Sequence, residues 1–442
     1  MKGDEFIGHQ PTNHRWAVDG ETALFSWNPS NLLVSETYYW KEGMMVPEPL
    51  PKNLKFLEEI PSNDQKEFSE IFYIKSGGIY KFNKIDKTMS KVYVTSDRVS
   101  GLIRGYDPDI LYFRNNDNIY SLNTKQGALL QLTNFKKGKK PSIASKKQDF
   151  LSNQQEELFL FVQEAKERKS YIDEKNKENL TVTLPKEWYS EWNYTFLSPS
   201  PDGKYVVFGL SEPIIPKPTR VEAFITEDGY TASQNARSKV SINNLYKTQL
   251  ALYSVDKDSV ITIDFSELSG IKEMPSYYQE YDGLKNKEPK LRELRFFNPQ
   301  FNNKGDLAVI DIRSQDNKDR WIVQIDLENG KIIELNRQHD KAWIGGPGIG
   351  GFRGLLGFLP DDKTIYYQSE ESGYAHIYLL DVSTKIPRAL TQGSWEVREA
   401  QLSNDGTTFY ITSTTTHPGN REFYKVDVQN GKIIPILTKA GA

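Results

Sequence analysis

"SPDGKYVVFG", Ser200 to Gly209, reads as a tight turn followed at once by a strand. Asp and Gly supply the turn conformations that join antiparallel strands, and the Tyr-Val-Val-Phe run carries the β-branched and aromatic side chains that suit a pleated surface. The same unit recurs along the chain. "AVDG" (Ala17 to Gly20) precedes "ETALF", "NNKG" (Asn302 to Gly305) precedes "DLAVI", "LPDDK" (Leu359 to Lys363) precedes "TIYY", and "SNDG" (Ser403 to Gly406) precedes "TTFY". A second series accompanies the first: "IYSLNTKQGALLQLT" (Ile119 to Thr133), "IVQIDLENGKIIEL" (Ile322 to Leu335), "IYLLDVSTKIPRALT" (Ile377 to Thr391) and "FYKVDVQNGKIIPILT" (Phe423 to Thr438). Each reads as strand, turn, strand.

The spacing of these turns fixes the repeat. Gly406 lies 44 residues after Asp362, and Gly305 lies 102 after Gly203, close to two units of 51. Units of roughly 40 to 50 residues with about four short strands are β-propeller blades, which pack side by side because neither face of a blade can be left bare. The expected fold is therefore an all-β propeller of four-stranded antiparallel blades, forming a single domain over 1–442. At this period 442 residues correspond to eight blades, with seven as the alternative. The structural rival is a sandwich or several separate β domains, and the regular period argues against it.

Composition agrees. The chain holds 24 Tyr, 22 Phe and 8 Trp, and aromatic residues favour strands. Its formal charge of -3 offers no footprint for a polyanion such as nucleic acid. No apolar run reaches the ~20 residues that a membrane span needs. The absence of cysteine excludes disulfides and thiolate zinc sites. No signal peptide is legible, and "MKGDEF" resembles the start of a trimmed mature chain.

Three stretches depart from the repeat. Gln154 to Glu167 is a possible short helix, charged on most faces. "LTVTLPKEWYSEW" (Leu180 to Trp192) is aromatic and acidic and sits before a blade opens. Ser211 to Val240, with Pro213, Pro216 and Pro218 followed by "ITEDGY", reads as an insertion or extended hairpin projecting from a blade.

"WIGGPGIGGF" (Trp343 to Phe352) satisfies the dinucleotide fingerprint G-x-G-x-x-G at Gly346, Gly348 and Gly351. A phosphate loop must open a helix, and here Gly354, Gly357 and Pro360 occupy the would-be helix. Glycine costs about 1 kcal/mol per helix position and proline about 3, so the phosphate mechanism has no helix to use. The favoured reading of Gly345 to Gly354 is a tight crossover that lets backbone pass close to its neighbours.

The last hundred residues carry a family resemblance. "QSEESGYAHIYLLDV" (Gln368 to Val382), then "LTQGSWEVREAQLSNDGTTFYITSTTTHPGNREFYKVDV" (Leu390 to Val428), resembles the closing blades of the N-terminal propeller of dipeptidyl peptidase IV-like enzymes, in the prolyl oligopeptidase family of serine peptidases. "SPDGKYVVF" with "ITEDGYTASQNARSKV" resembles a central blade and its projecting segment, and "QPTNHRWAVDG" the propeller's opening. The resemblance implies a following α/β-hydrolase domain with a G-x-S-x-G nucleophile. No G-x-S-x-G occurs here, and the chain stops at "LTKAGA", so it reads as a propeller without its catalytic domain, with the loss of its final strands left open. It implies peptide substrates, the hydrolase domain as partner, a possible homodimer and a periplasmic or extracellular location. A stand-alone propeller acting as a protein- or ligand-binding module is the alternative.

The residues that could carry chemistry are few. None of His9, His14, His339, His376 and His417 accompanies a nucleophile elbow, and His376 in "GYAHIY" reads as a packed, hydrogen-bonded histidine. No metal-ligand spacing and no cofactor motif appears, so no catalytic residue, metal or cofactor is assigned. The resemblance implies a glutamate pair that anchors a substrate's N-terminal ammonium a little upstream of the Ser200 turn. Glu187 and Glu191 occupy that region, with Trp188 and Trp192 beside them, and together these four form the expected substrate-binding segment. The two glutamates are not adjacent, as the family's are. Glu370, Glu371, Trp395, Glu396 and Arg421, the most family-like residues, read as blade-closing packing and hydrogen bonding.

Overall fold

The computed structural model describes residues 10–61, 68–141, 163–172, 175, 184–214, 217–239, 246–349 and 354–437. Among the described residues seven sheets of three to five strands follow one another along the chain, with two further two-stranded pairs. We number the seven as blades. Blade 1 runs from Thr12–Trp16 to Glu48–Pro49, and blade 2 has three described strands, Glu70–Lys75, Gly78–Asn83 and Met89–Tyr93. Blade 3 runs from Val99–Arg104 to Leu129–Gln131. Blade 4 contains Asn193–Pro199, Tyr205–Ser211, Thr248–Ser254 and Ser259–Thr262. Blade 5 has a first strand in two pieces, Leu294–Phe296 and Gln300–Phe301, followed by Ala308–Ser314, Asp319–Ile325 and Ile332–His339. Blade 6 runs from Leu356–Phe358 to Pro387–Ala389, and blade 7 from Val397–Leu402 to Ile433–Leu437.

The expectation of eight blades is corrected to seven. Division of the chain by the repeat length assumed that every residue belongs to a blade. Among the described residues, 138–141, the helical segment 163–172, 184–187, the hairpin insertion 217–239 and the crossover 264–293 lie outside the blades. The rest of the expected helix, 154–162, lies outside the described residues. All four strands of blade 7 are present, so the expected shortfall of final strands does not occur there.

Alternation along each strand sends successive side chains to opposite neighbours. In blade 5, Ile310, Ile312, Trp321 and Val323 pack toward blade 4, while Val309, Ile322 and Leu335 pack toward blade 6. Six hydrophobic clusters couple the seven sheets pairwise in this way, from blades 1 and 2 through to blades 6 and 7.

The repeated turns do more than reverse the chain. Tyr106 N in blade 3 donates to Pro201 O in the blade 4 turn at 2.7 Å. Asn303 N in the blade 5 turn donates to the Asp362 carboxylate of the blade 6 turn at 2.8 Å. A Cβ on Gly305 would sit 2.7 Å from the backbone nitrogen of Asp202, and one on Gly406 would run into Pro360. From blade 3 to blade 7 successive turns are therefore seated against one another, and at Gly305 and Gly406 a neighbouring turn occupies the space of a side chain.

This separates two costs. Gly20 and Gly305 both have positive φ, +73° and +81°, but nothing lies within 4 Å of a Cβ on Gly20. Gly20→Ala should lose about 1 kcal/mol of unfolding free energy, the left-handed penalty alone. Gly305→Ala should lose clearly more, since backbone of the preceding blade, at Asp202, must shift. Urea unfolding of both variants tests this, and equal losses would show that the turns do not bear on one another.

Candidate functional site

Strand direction sorts the loops into two ends. Within a blade the strands are antiparallel, so the first-to-second and third-to-fourth turns lie together at one end. The second-to-third loops and the blade-to-blade crossovers lie at the other, the crossover end. The repeated short turns at Gly20, Gly203, Gly305, Asp362 and Gly406 fall at the first end. The Trp188–Trp192 segment, the insertion at 212–247, the 264–293 crossover, the glycine loop and the loops at Glu370–Ala375, Gly393–Glu396 and Thr414–Arg421 all fall at the crossover end.

The expected substrate-binding segment is anchored there by a parallel strand pair, Phe135–Lys137 with Trp188–Ser190. Phe135 stacks on Tyr194 with ring centroids 5.4 Å apart, and Trp188 meets Phe208 edge-on at 5.5 Å. Trp188 thus serves as a half-buried core anchor of blade 4. Trp192 stands at the rim of a crevice of about 260 Å³ between blades 4 and 5, floored by Leu250, Ile263, Phe265 and Leu294. Glu187 is exposed and accepts a hydrogen bond from Tyr189 Oη at 2.7 Å. Glu191 is exposed and lies 3.7 Å from Lys139 Nζ. The two carboxylates therefore have separate partners, while both tryptophans pack against the core between blades 3 and 4, Trp192 also reaching the crevice toward blade 5.

Next along the ring, a buried ionic cluster fixes the crossover end of blade 5. Asp319, fully buried, meets Arg292 at 2.6 Å, Arg337 at 2.8 Å and His339 at 3.1 Å. Arg292 belongs to the 264–293 crossover, so this pairing pins that crossover to the blade. Asp311 pairs with Arg320 at 2.9 Å, and Arg320 Nη1 donates to Gln368 O of blade 6 at 2.6 Å. Sequence reading did not pick out these residues. The signal was available: "DIRSQDNKDRW" (Asp311 to Trp321) places charges at strand positions where a blade interior calls for apolar side chains.

The glycine loop crosses directly over this cluster. A Cβ on Gly354 would lie 2.6 Å from Arg320 Nη2, and Cβ atoms on Gly346 and Gly348 would collide with the side chains of Glu370 and Gln368. The close-crossover reading of the loop thus holds for its described part; residues 350–353 lie outside it. The loop's exposed Trp343 and the acidic residues Asp340, Glu370 and Glu371 line a cleft of about 130 Å³. The amides of Trp343 and Ala342 hold the Asp340 carboxyl below the usual range. Burial, reinforced by Glu396 and Asp340, pushes the Glu370 carboxyl up. His376 is packed and hydrogen-bonded, 3.0 Å from both Thr391 Oγ1 and Gly393 O and edge-on to Trp395, and burial lowers its pKa. Among the described residues no group of three His, Cys, Asp or Glu is arranged to hold a metal ion, and no helix is long and apolar enough to cross a membrane.

Comparison with known proteins gives this end of the molecule a context. Residues 300–442 match the family model for the dipeptidyl peptidase IV (DPP IV) N-terminal region. A probable dipeptidyl peptidase 4 of Aspergillus flavus is 36% identical over 120 residues, 26% of this chain and 15% of that protein. A probable dipeptidyl peptidase 4 of Neosartorya fischeri is 37% identical over 86 residues, 19% of this chain and 11% of that protein. The crystal structure of Porphyromonas gingivalis dipeptidyl peptidase 4 superposes with a TM-score of 0.54 at 15% identity, covering 99% of this chain and 55% of that one, and shows a shared fold. The chain thus spans about half the length of that protein, and its matched stretches are a small part of the curated relatives.

The raised Glu370 pKa makes a pH-dependent prediction. A carboxyl that holds its proton more tightly when folded favours the native state below the ordinary carboxylate range, and that advantage disappears as pH rises through the raised value. Glu370→Gln removes the ionised form. Its Tm should exceed that of the wild type at pH 8, and the difference should close at pH 4. Thermal unfolding at both values checks this; a difference independent of pH would rule out crowded charge as the cause.

Proposed function

We propose, from the match of residues 300–442 to the dipeptidyl peptidase IV N-terminal region, that this chain is the non-catalytic, substrate-gating and substrate-binding propeller of an exported dipeptidyl peptidase IV-like serine exopeptidase. The observation that carries this reading is the family match on a propeller whose loops, insertion and clefts gather at one end. In this proposal the α/β-hydrolase domain supplies the nucleophile and sits over the crossover end. The propeller then encloses a water-poor chamber that admits short or unfolded peptides. Glu187 and Glu191 receive the peptide's ammonium through charge-assisted hydrogen bonds, Trp188 holds the segment on the core, and Trp192 offers an apolar wall. The location that fits is the periplasm or the outside of the cell.

The insertion has a role in the same proposal. Arg220–Ala223 and Ala232–Asn235 form a two-stranded hairpin, and Phe224, Ile225 and Tyr230 at its tip are exposed. We assign this surface to self-association as a homodimer.

Two measurements on the purified chain test the proposal. A fluorophosphonate probe should label no serine, since the sequence contains no G-x-S-x-G. Peptides with a free N-terminus should bind about three- to tenfold more tightly than their acetylated forms, a charge-assisted bond reduced by the exposure of both carboxylates. The double variant Glu187→Ala/Glu191→Ala should abolish that difference. Equal binding of free and acetylated peptides by the wild type would remove the ammonium-anchoring role.

A further inference from the structure

The glycine loop has a second side. Across from the acidic cleft, Pro347 of the loop and Arg398, Glu399, Thr412 and Arg421 of blade 7 line an open cleft of about 400 Å³ at the crossover end. The walls are held in place from behind. Gly346, next to Pro347, lies so close to Glu370 that a Cβ there would overlap the carboxylate, so this part of the loop has little room to shift. Arg398 Nη1 donates to Glu396 at 3.0 Å. Glu422, adjacent to Arg421, is almost fully buried, and its carboxylate accepts from Thr415 Oγ1, Thr416 Oγ1, Thr416 N and Tyr424 Oη. The loop between is closed on itself by Asn420 N to His417 O at 2.9 Å and Asn420 Nδ2 to Thr416 Oγ1 at 3.0 Å.

Arg421 itself is different. Its Nη1 donates only to the backbone oxygens of Asn420, at 3.0 Å, and Pro418, at 3.4 Å. Among the described residues no carboxylate lies within ion-pair distance of it. A guanidinium presents five donors in a planar fork matched to a carboxylate. Here one such fork, on a loop already ordered by a buried carboxylate, opens on a cleft with its charge unmatched. We propose that this cleft, between Pro347 and blade 7, binds a carboxylate group of a peptide, with Arg421 as the principal contact and Arg398 as the second. Charge selects the ligand class: Arg398 is already paired with Glu396, so the one guanidinium in the lining without an ion-pair partner is that of Arg421, and a single such charge beside Glu399 matches a monoanionic carboxylate better than a dianionic phosphate. The peptide part of the assignment rests on the function proposed above; the carboxylate part does not.

The carboxylate could be a chain terminus or an acidic side chain, and calorimetric titration of the purified chain separates the two. One arm compares a tripeptide having a free C-terminus with its C-terminal amide. The other compares C-amidated peptides that differ only by Glu against Gln. In at least one arm the acid should bind about three- to tenfold more tightly, a range set by an exposed charge-assisted pair. Arg421→Gln should erase that preference, Arg421→Lys should retain part of it, and the exposed Lys425→Gln should leave it unchanged. The site is overturned if acid and amide bind equally in both arms, if Arg421→Gln keeps the preference, or if a phosphoserine peptide binds more tightly than either acid. N-acetylglycine against its amide repeats the comparison without a peptide. A chain that prefers the N-acetylglycine anion in an Arg421-dependent way, yet binds no peptide, keeps this site and loses the peptide-binding reading. No preference for that anion overturns the site.

Discussion

A blade of this protein is apolar on both faces, and that single constraint organises the rest. Val309 and Ile310, adjacent in sequence, belong to different hydrophobic clusters because each needs a different neighbour. No sheet can close its own core, so each is stable only between others. The seating of successive turns follows from the same demand. Sheets that must touch along their whole width bring their turns into contact, and the space left admits a glycine at Gly305 and Gly406.

Because hydrophobic packing already holds the blades together, the crossover end can carry charge. Asp319 and Asp311 sit where a cavity or an unpaired carboxylate would be costly, and each is surrounded by arginines instead. Breaking one member of such a cluster strands a buried charge, a loss of about 3–5 kcal/mol, so the cluster acts as a rigid footing for the loops above it. The 264–293 crossover, the glycine loop and the loop at Glu370 all rest on it. The loops with chemical potential are thus mounted on the most ionic part of the ring, while the opposite end is closed by short turns.

Much of the fold was legible because its determinants are local. An Asp-Gly turn and an alternating strand announce themselves within ten residues, and "TIYYQS" is a strand over the very span that pattern indicates, Thr364–Ser369. The blade count was not legible, because it depends on which residues lie outside blades: Gln154 to Glu167 and Leu180 to Trp192 read as departures from the repeat, but neither departure says how many residues a blade gives up to it. The second is placed by the pairing of Phe135 with Trp188, a contact across a long gap that no short pattern encodes. The site was legible in the same uneven way. The tryptophans and glutamates of 187–192 stand out by composition, but that both tryptophans pack on one core while Trp192 alone also borders the crevice toward blade 5 follows from the fold. Arg421 stood out only as part of a motif. Its lack of a carboxylate partner is a property of the folded loop.

The insertion in blade 4 leaves and re-enters at two residues that face each other, Ser211 and Thr248, at the end of a ladder of seven paired positions. Its hairpin carries exposed side chains at the tip and takes no part in the clusters on either side of the blade. A cut at that tip would therefore break the polypeptide without breaking the sheet, and the two lengths of chain would remain registered by the ladder and by the cores that straddle it. At this point the order of the blades is held by their packing more than by the peptide chain. The protein has a natural place for new termini, or for a guest domain, at a point where covalent continuity contributes least to its architecture.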